Sequence, residues 1–173
     1  MKPILAILTT NVCSTFFKNS NVNLNRQAFP KLNVNNILEF PLPDKLSEES
    51  INYLSEKVDT ILSLNKDLQA VNKKFGNYFS GQYKLEKLPK KLENWSELSF
   101  TDFITELNKA IKTTGQTQLT KKDEFEWLDV FEENKTKAQT LKSQIETTEK
   151  AIDAMVYELY GLSEEEIGIV EKQ

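Results

Sequence analysis

"LSEESINYLSEKVDTILSLNKDLQAVNKKFGNY", residues 46–78, decides the fold. Its apolar residues Ile51, Leu54, Val58, Ile61, Leu64, Leu68, Val71, Phe75 and Tyr78 follow one another by threes and fours. That spacing lays one narrow stripe along a long α-helix, and a narrow stripe is best buried by a second long helix. Ser47 stands at the N-cap, with Glu48 and Glu49 in the first turn, where the helix dipole favours carboxylates. Leu46 and Ile51 are spaced for a hydrophobic staple. Gly76 is expected to fray the other end, so this helix is placed over 47–76.

The matching stripe lies near the C-terminal end. Thr120 with Asp123 opens an element running to about Tyr160, roughly 60 Å long at the helical rise. Its stripe is Leu128, Phe131, Ala138, Leu141, Ile145, Ile152, Met155 and Leu159, which leaves Lys135 and Thr148 near the seam. Two such helices joined by a compact middle pair most simply antiparallel. In that middle, Ser99 with Asp102 starts a short helix over about 100–112, with Phe103, Leu107 and Ala110 or Ile111 inward. Trp127 reads as its packing anchor. Residues 80–98, "SGQYKLEKLPKKLENWSEL", read as a basic, irregular connector.

Before residue 47 the signals are shorter. Ile4, Leu8, Val12 and Phe16 recur every four residues, so one helix is expected over 3–18. The Asn-rich stretch 19–36 reads as a loop. Residues 33–40 alternate through Val34, Leu38 and Phe40 and are expected to form a short strand, ended by "PLPDK". The expected fold is therefore mostly α, with minor strand content (α+β). It is an antiparallel long-helix pair or coiled coil, with residues 1–46 as one part and 47–173 as a helical stalk.

Composition narrows the chemistry. With no His and a single Cys, a zinc site, an internal disulfide and His-based acid–base catalysis all fall away. Cys13 reads as a small buried hydrophobe, since nothing basic is spaced to activate it. The start "MKPILAILTTNVC" has too short an apolar core for a signal, and no apolar run reaches the ~20 residues of a membrane span. The expectation is a reduced, intracellular, soluble protein. The net charge of −4 hides a gradient. Residues 1–46 carry five basic against two acidic residues, and 73–92 six against one. Residues 47–72 carry two against five, and 93–173 nine against eighteen. Two basic windows on an acidic helical body do not describe a uniformly basic nucleic-acid binder.

The chain ends on "IDAMVYELYGLSEEEIGIV", residues 152–170. Gly161 suits the left-handed C′ position of a helix stop, with Leu162 returning onto Tyr157. Ser163 and Glu166 make a capping box for a last helix over 163–171, whose Ile167, Ile169 and Val170 turn back onto the bundle.

That ending also carries a resemblance. Ile152, Asp153, Val156, Tyr157, Leu159, Tyr160, Gly161, Leu162, Ser163, Glu166, Ile167, Ile169, Val170 and Glu171 fit the C-terminal signature of bacterial DNA adenine-N6 methyltransferases. Many of those are type II restriction–modification enzymes with nuclease and methyltransferase in one chain (type IIG). Ala151 departs from the acidic residue usual there. "ILAILTTNVCSTFFK" is similar to a helix of their target recognition domain, with Thr9-Thr10-Asn11 where Asn-Ser is common. "NNILEFPLP" resembles the strand, ending in Ile-Pro-Ile-Pro, that closes that domain. All three stretches follow in the family's order, so the resemblance spans nearly the whole chain while covering only the C-terminal part of such an enzyme.

The catalytic motif Asn/Asp-Pro-Pro-(Tyr/Phe) is absent, as is any Gly-x-Gly turn for S-adenosylmethionine. Pro43-Asp44 and Glu133-Asn134-Lys135 echo a nuclease PD…ExK set, but far apart and on a helix, and read as chance. The resemblance implies a non-catalytic recognition and support piece in the bacterial cytoplasm. Its partners are double-stranded DNA and a methyltransferase domain or subunit, which would hold the S-adenosylmethionine. Homodimerisation through the helices is a further expectation. The second reading is a half-size specificity subunit like those of type I systems, dimerising through its helices. The third is a coiled-coil scaffold with no DNA role.

Contact with DNA needs donors for phosphates and base edges. The candidates are Lys18, Asn19, Asn21, Asn23, Asn25, Arg26 and Lys31, where asparagine pairs with adenine and arginine with guanine. A second set is Lys84, Lys87, Lys90 and Lys91, with Tyr83 and Trp95 nearby, suited to holding phosphates. The plainer alternatives are a polar Asn-rich loop and a solvated connector. Met155, Tyr157 and Tyr160 read as packing residues rather than partner contacts.

Overall fold

Ser47 starts the first long helix. Its Oγ accepts the Ser50 amide at 3.0 Å, and its carbonyl accepts the Ile51 amide at 3.0 Å. The computed structural model describes residues 1–19 and 34–172. In order they form α1 (Lys2–Leu8), α2 (Asn11–Asn19), α3 (Val34–Glu39), α4 (Glu48–Gln82) and α5 (Lys90–Glu93). A 3-10 turn (Trp95–Glu97), α6 (Phe100–Thr113), α7 (Lys121–Tyr160) and α8 (Glu164–Glu171) follow. The fold is mostly α, with no strand among the described residues. They divide into two compact units, Ser63–Ile145 and Met1–Leu62 with 146 onward, and α4 and α7 each contribute to both.

The unit Ser63–Ile145 is built on rings. Phe103 of α6 stacks on Phe131 of α7 with centroids 4.7 Å apart, and Phe75 of α4 meets Trp95 edge-on at 4.4 Å. Offset and edge-to-face pairs of this kind add about 0.5–1.5 kcal/mol each beyond the area they bury. On α4 the buried steps are Phe75 and Phe79, continued by Tyr83 just past its end, whereas Tyr78 is 55% exposed. A straight helix drifts about 20° per heptad against a seven-residue repeat, which carries the stripe from 78 to 79. Gly76 does not fray α4. It is buried in the helix, and a Cβ there would lie 3.6 Å from the Leu88 side chain. The helix instead closes at Lys84, in the left-handed region at φ +51, with the Leu85 amide donating to the Ser80 carbonyl at 2.9 Å. That conformation costs a residue bearing a Cβ roughly 1–2 kcal/mol.

Residues 80–98 are not a loose connector. Leu92 and Trp95 are fully buried. Burial of a leucine-sized side chain stabilises by about 1.5–3 kcal/mol, enough to fold a lysine-rich segment inward. Helix α7 fixes it with its lysines: Lys135 Nζ donates to the Leu98 carbonyl at 2.7 Å, and Lys142 pairs with Glu97. Ser99 caps α6 by accepting the Asp102 amide at 3.1 Å. Phe103, Leu107, Ala110 and Ile111 are buried on one face of α6, and Trp127 is buried beside Phe103.

The unit containing the chain start gathers Ala6, Ile7, Cys13, Phe40, Leu54, Val58, Ile152 and Val156 into its own core. The single helix expected over 3–18 is broken in two. Thr9 and Thr10 turn their hydroxyls onto the Ala6 and Ile7 carbonyls at 2.9 and 2.7 Å. Threonine competes in this way with the helical ladder, and the Thr10 Oγ1 then faces the Cys13 amide at 3.5 Å as α2 begins. The break rotates the buried face, so Ala6 and Ile7 are covered while Ile4 is 42% exposed. The expected strand over 33–40 is corrected as well: Val34–Glu39 is α3. A strand needs a ladder partner, and none lies among the described residues; helical winding instead puts Phe40 in the core. At the chain's end Gly161 takes φ +62, with the Leu162 amide on the Tyr157 carbonyl at 3.0 Å. Ser163 and Glu166 complete the capping box of α8. Of the three apolar residues expected to turn back, Ile169 is exposed.

The ring stack generates a measurable expectation. Phe131→Ala will destabilise the protein by about 3–5 kcal/mol in urea unfolding, because a fully buried ring leaves a cavity among other rings. A loss under 1 kcal/mol would mean the stack is not the core of its unit.

Candidate nucleic-acid interface

The helix stop at Lys84 opens the basic window outward. Lys84, Lys87 and Pro89 form one wall of an open cleft of about 710 Å³, and Glu106, Lys109 and Thr113 of α6 form another. Glu106 sits between two lysines, with Lys109 Nζ at 2.9 Å and Lys91 Nζ at 3.0 Å. Their hydrogen bonds hold the Glu106 carboxyl below the ordinary carboxylate range, that from Lys109 contributing most. Lys84, Lys87 and Lys90 make no ion pair among the described residues, and Lys90 stands outside the cleft lining. The cleft lining thus carries the ammonium groups of Lys84, Lys87 and Lys109 and the carboxylates of Glu86 and Glu106, and of these ammonium groups those of Lys84 and Lys87 make no ion pair among the described residues. Ammonium groups of this kind hold phosphates as point charges and add affinity without sequence information.

Tyr83 and Trp95 do not serve as stacking platforms for bases. Trp95 is fully buried, with its indole nitrogen 3.4 Å from the Asn72 carbonyl. Tyr83 is buried and accepts from Trp127 Nε1 at 2.9 Å through its hydroxyl. Both rings lie near the lysines in sequence, but α4 and α7 claim them. Lys109 and Glu106 are cleft residues that the sequence did not single out, because nothing local ties α6 to residues 84–91.

Of the other candidate set, Lys18 and Asn19 are exposed at the end of α2. Asn21, Asn23, Asn25, Arg26 and Lys31 lie outside the described residues. The base of this region is a clamp formed by the end of α7. Asp153 accepts from the Asn11 amide and from Asn11 Nδ2, both at 3.0 Å. Asn11 is the first residue of α2, so the carboxylate caps a helix N-terminus where the dipole favours it. Burial raises the Asp153 carboxyl above its ordinary value, and the Asn11 amide opposes that shift. Tyr160 donates its hydroxyl to the Pro41 carbonyl at 2.7 Å and packs on Phe40; burial pushes its pKa up to about 12. Val156 is fully buried in the same core. Burial also pushes the Cys13 thiol up to about 11, which keeps it protonated and unreactive.

Among the described residues, no group of three or more His, Cys, Asp or Glu is placed to hold a metal ion. Among them, too, no helix is long and apolar enough to cross a membrane. Residues 47–156 match the model of a family described as a domain of unknown function, DUF8810, and the chain belongs to that family. No curated protein and no solved structure matches the chain.

Three outcomes follow from these contacts. Asp153→Ala removes two hydrogen bonds and a helix cap, and will cost about 1–3 kcal/mol in denaturant unfolding. Tyr160→Phe will cost nearer 1 kcal/mol, and if neither variant loses stability the clamp is not holding α2. Glu106 will titrate below an exposed glutamate when followed by NMR. Its folded value is depressed, so the stability linked to it is present above the unfolded value and lost as pH falls through the folded value. A normal midpoint would show that its two lysine contacts are not maintained.

Proposed function

We propose that this member of the DUF8810 family is a non-catalytic DNA-recognition and support module of a bacterial restriction–modification system, serving a site-specific adenine-N6 methyltransferase. The observation that carries this is the clamp. The residues that resemble the end of such enzymes, Asp153, Val156 and Tyr160, make their contacts with the segments that resemble the end of a target recognition domain. Three stretches matched one by one along the sequence thus meet in a single core, as expected if they were selected together.

Methyl transfer belongs to the catalytic partner, as does the seat for S-adenosylmethionine. The glycines of this chain suit other work. No two are spaced as Gly-x-Gly, and Gly115 and Gly161, at φ +74 and +62, close helices rather than cradle a cofactor. The module contributes a fixed base for the α2 end and its Asn-rich continuation, and phosphate contacts from the cleft lysines.

The test is a salt titration. A labelled duplex is mixed with the full chain, alone and joined to an adenine-methylating partner, at about 50 and 200 mM salt. Affinity is expected to fall with salt, with a log–log slope near −0.9 for each phosphate neutralised. Absence of binding at the lower salt in both arrangements overturns the proposal.

A further inference from the structure

Among the described residues, Lys84 is the only one other than glycine with a positive φ. It holds the left-handed position that closes α4, the role Gly161 plays at the end of α7. Glycine takes this conformation without the steric cost that a Cβ brings. The nearest glycine, Gly81, lies within α4 itself, where a Cβ would meet nothing within 4 Å.

The surroundings hold Lys84 in place. The Tyr83 carbonyl accepts Gln116 Nε2 at 3.0 Å, and the Tyr83 hydroxyl accepts Trp127 Nε1 at 2.9 Å. The residue before Lys84 is thus anchored at both its main chain and its side chain, one link to the α6–α7 connection and one to α7. The cleft wall that Lys84 helps form is therefore preorganised. Its ammonium makes no ion pair among the described residues, Glu86 lines the cleft on the same wall, and Glu106 of the facing wall engages Lys109 together with Lys91, which stands outside the lining.

We propose that Lys84 occupies a glycine-favouring backbone position because its side chain seats a phosphate of duplex DNA in the cleft, with Lys87 as the adjoining contact. Residues held in sparsely populated backbone regions persist where the surroundings over-determine them, and they cluster at ligand-binding sites. Lysine contributes there as a point charge, so the contact strengthens binding uniformly across sequences. Resting on the DNA role proposed above, this assigns the phosphate contact to Lys84 and Lys87 rather than to Lys90 or Lys91.

The experiment compares the full chain with Lys84→Gly and Lys84→Arg. Thermal midpoints and affinity for a labelled duplex are read over a salt series. Lys84→Gly is expected to melt about 2–4 °C higher, since it relieves the left-handed strain. It should bind the duplex roughly three- to tenfold more weakly at low salt, with the log–log salt slope smaller by about one. Lys84→Arg should retain affinity and slope. If the parent chain binds and Lys84→Gly binds with the same affinity and slope, the Lys84 assignment falls while the DNA role stands. If Lys84→Gly melts lower, the lysine serves the fold and the assignment also falls. If the parent chain, alone or with its partner, does not bind, both proposals fail.

Discussion

Everything in the unit Ser63–Ile145 depends on the packing of Phe131 against Phe103, with Phe75 and Trp95 completing the stack. The two long helices carry narrow apolar stripes, and a narrow stripe alone buries little area. Rings from α6 and from the 3-10 turn widen the core around Phe75 and Phe131. Drawing Leu92 and Trp95 inward has a polar consequence. It fixes Lys91 beside Glu106 and leaves Lys84 and Lys87 along the cleft. The basic surface is thus set by where the rings go.

The unit holding the chain start solves a different problem. Its apolar core is smaller in side chains and is supplemented by directional polar contacts. Asp153 on the Asn11 amide and side chain, and Tyr160 on the Pro41 carbonyl, specify where α2 and residue 41 lie along α7. Apolar contact tolerates sliding, whereas a carboxylate on a helix N-terminus does not, because its energy depends on a few tenths of an ångström. These contacts define a position rather than supply a large stabilisation.

The legible parts of the sequence were those governed by local rules. Caps at Ser47, Ser99 and Ser163, the glycine stop at 161 and the two long periodic segments need only neighbours three or four residues away. The parts misread share a different cause. The Thr9–Thr10 break arises because threonine hydroxyls compete for carbonyls within an otherwise periodic run. The stretch 33–40 alternates like a strand, yet alternation means little without a partner to pair with, and none lies among the described residues. Gly76 looked like a terminus because close approach to Leu88 is invisible in sequence. In the cleft, the lysines were legible as a basic window, but which of them are neutralised depends on Glu106 and Lys109 of α6.

By itself the sequence determined the fold class, the two long helices and most helix ends, because periodicity and capping act over one or two turns. It also carried the resemblance in its closing residues. Tertiary structure alone decided that Tyr83 and Trp95 are core, that Asp153 meets Asn11, and that Lys91 reaches Glu106 while Lys84 and Lys87 make no ion pair among the described residues. Those outcomes join residues 15 to 142 positions apart. Burial and charge pairing at such separations are fixed by which helix faces meet, and no local pattern encodes that.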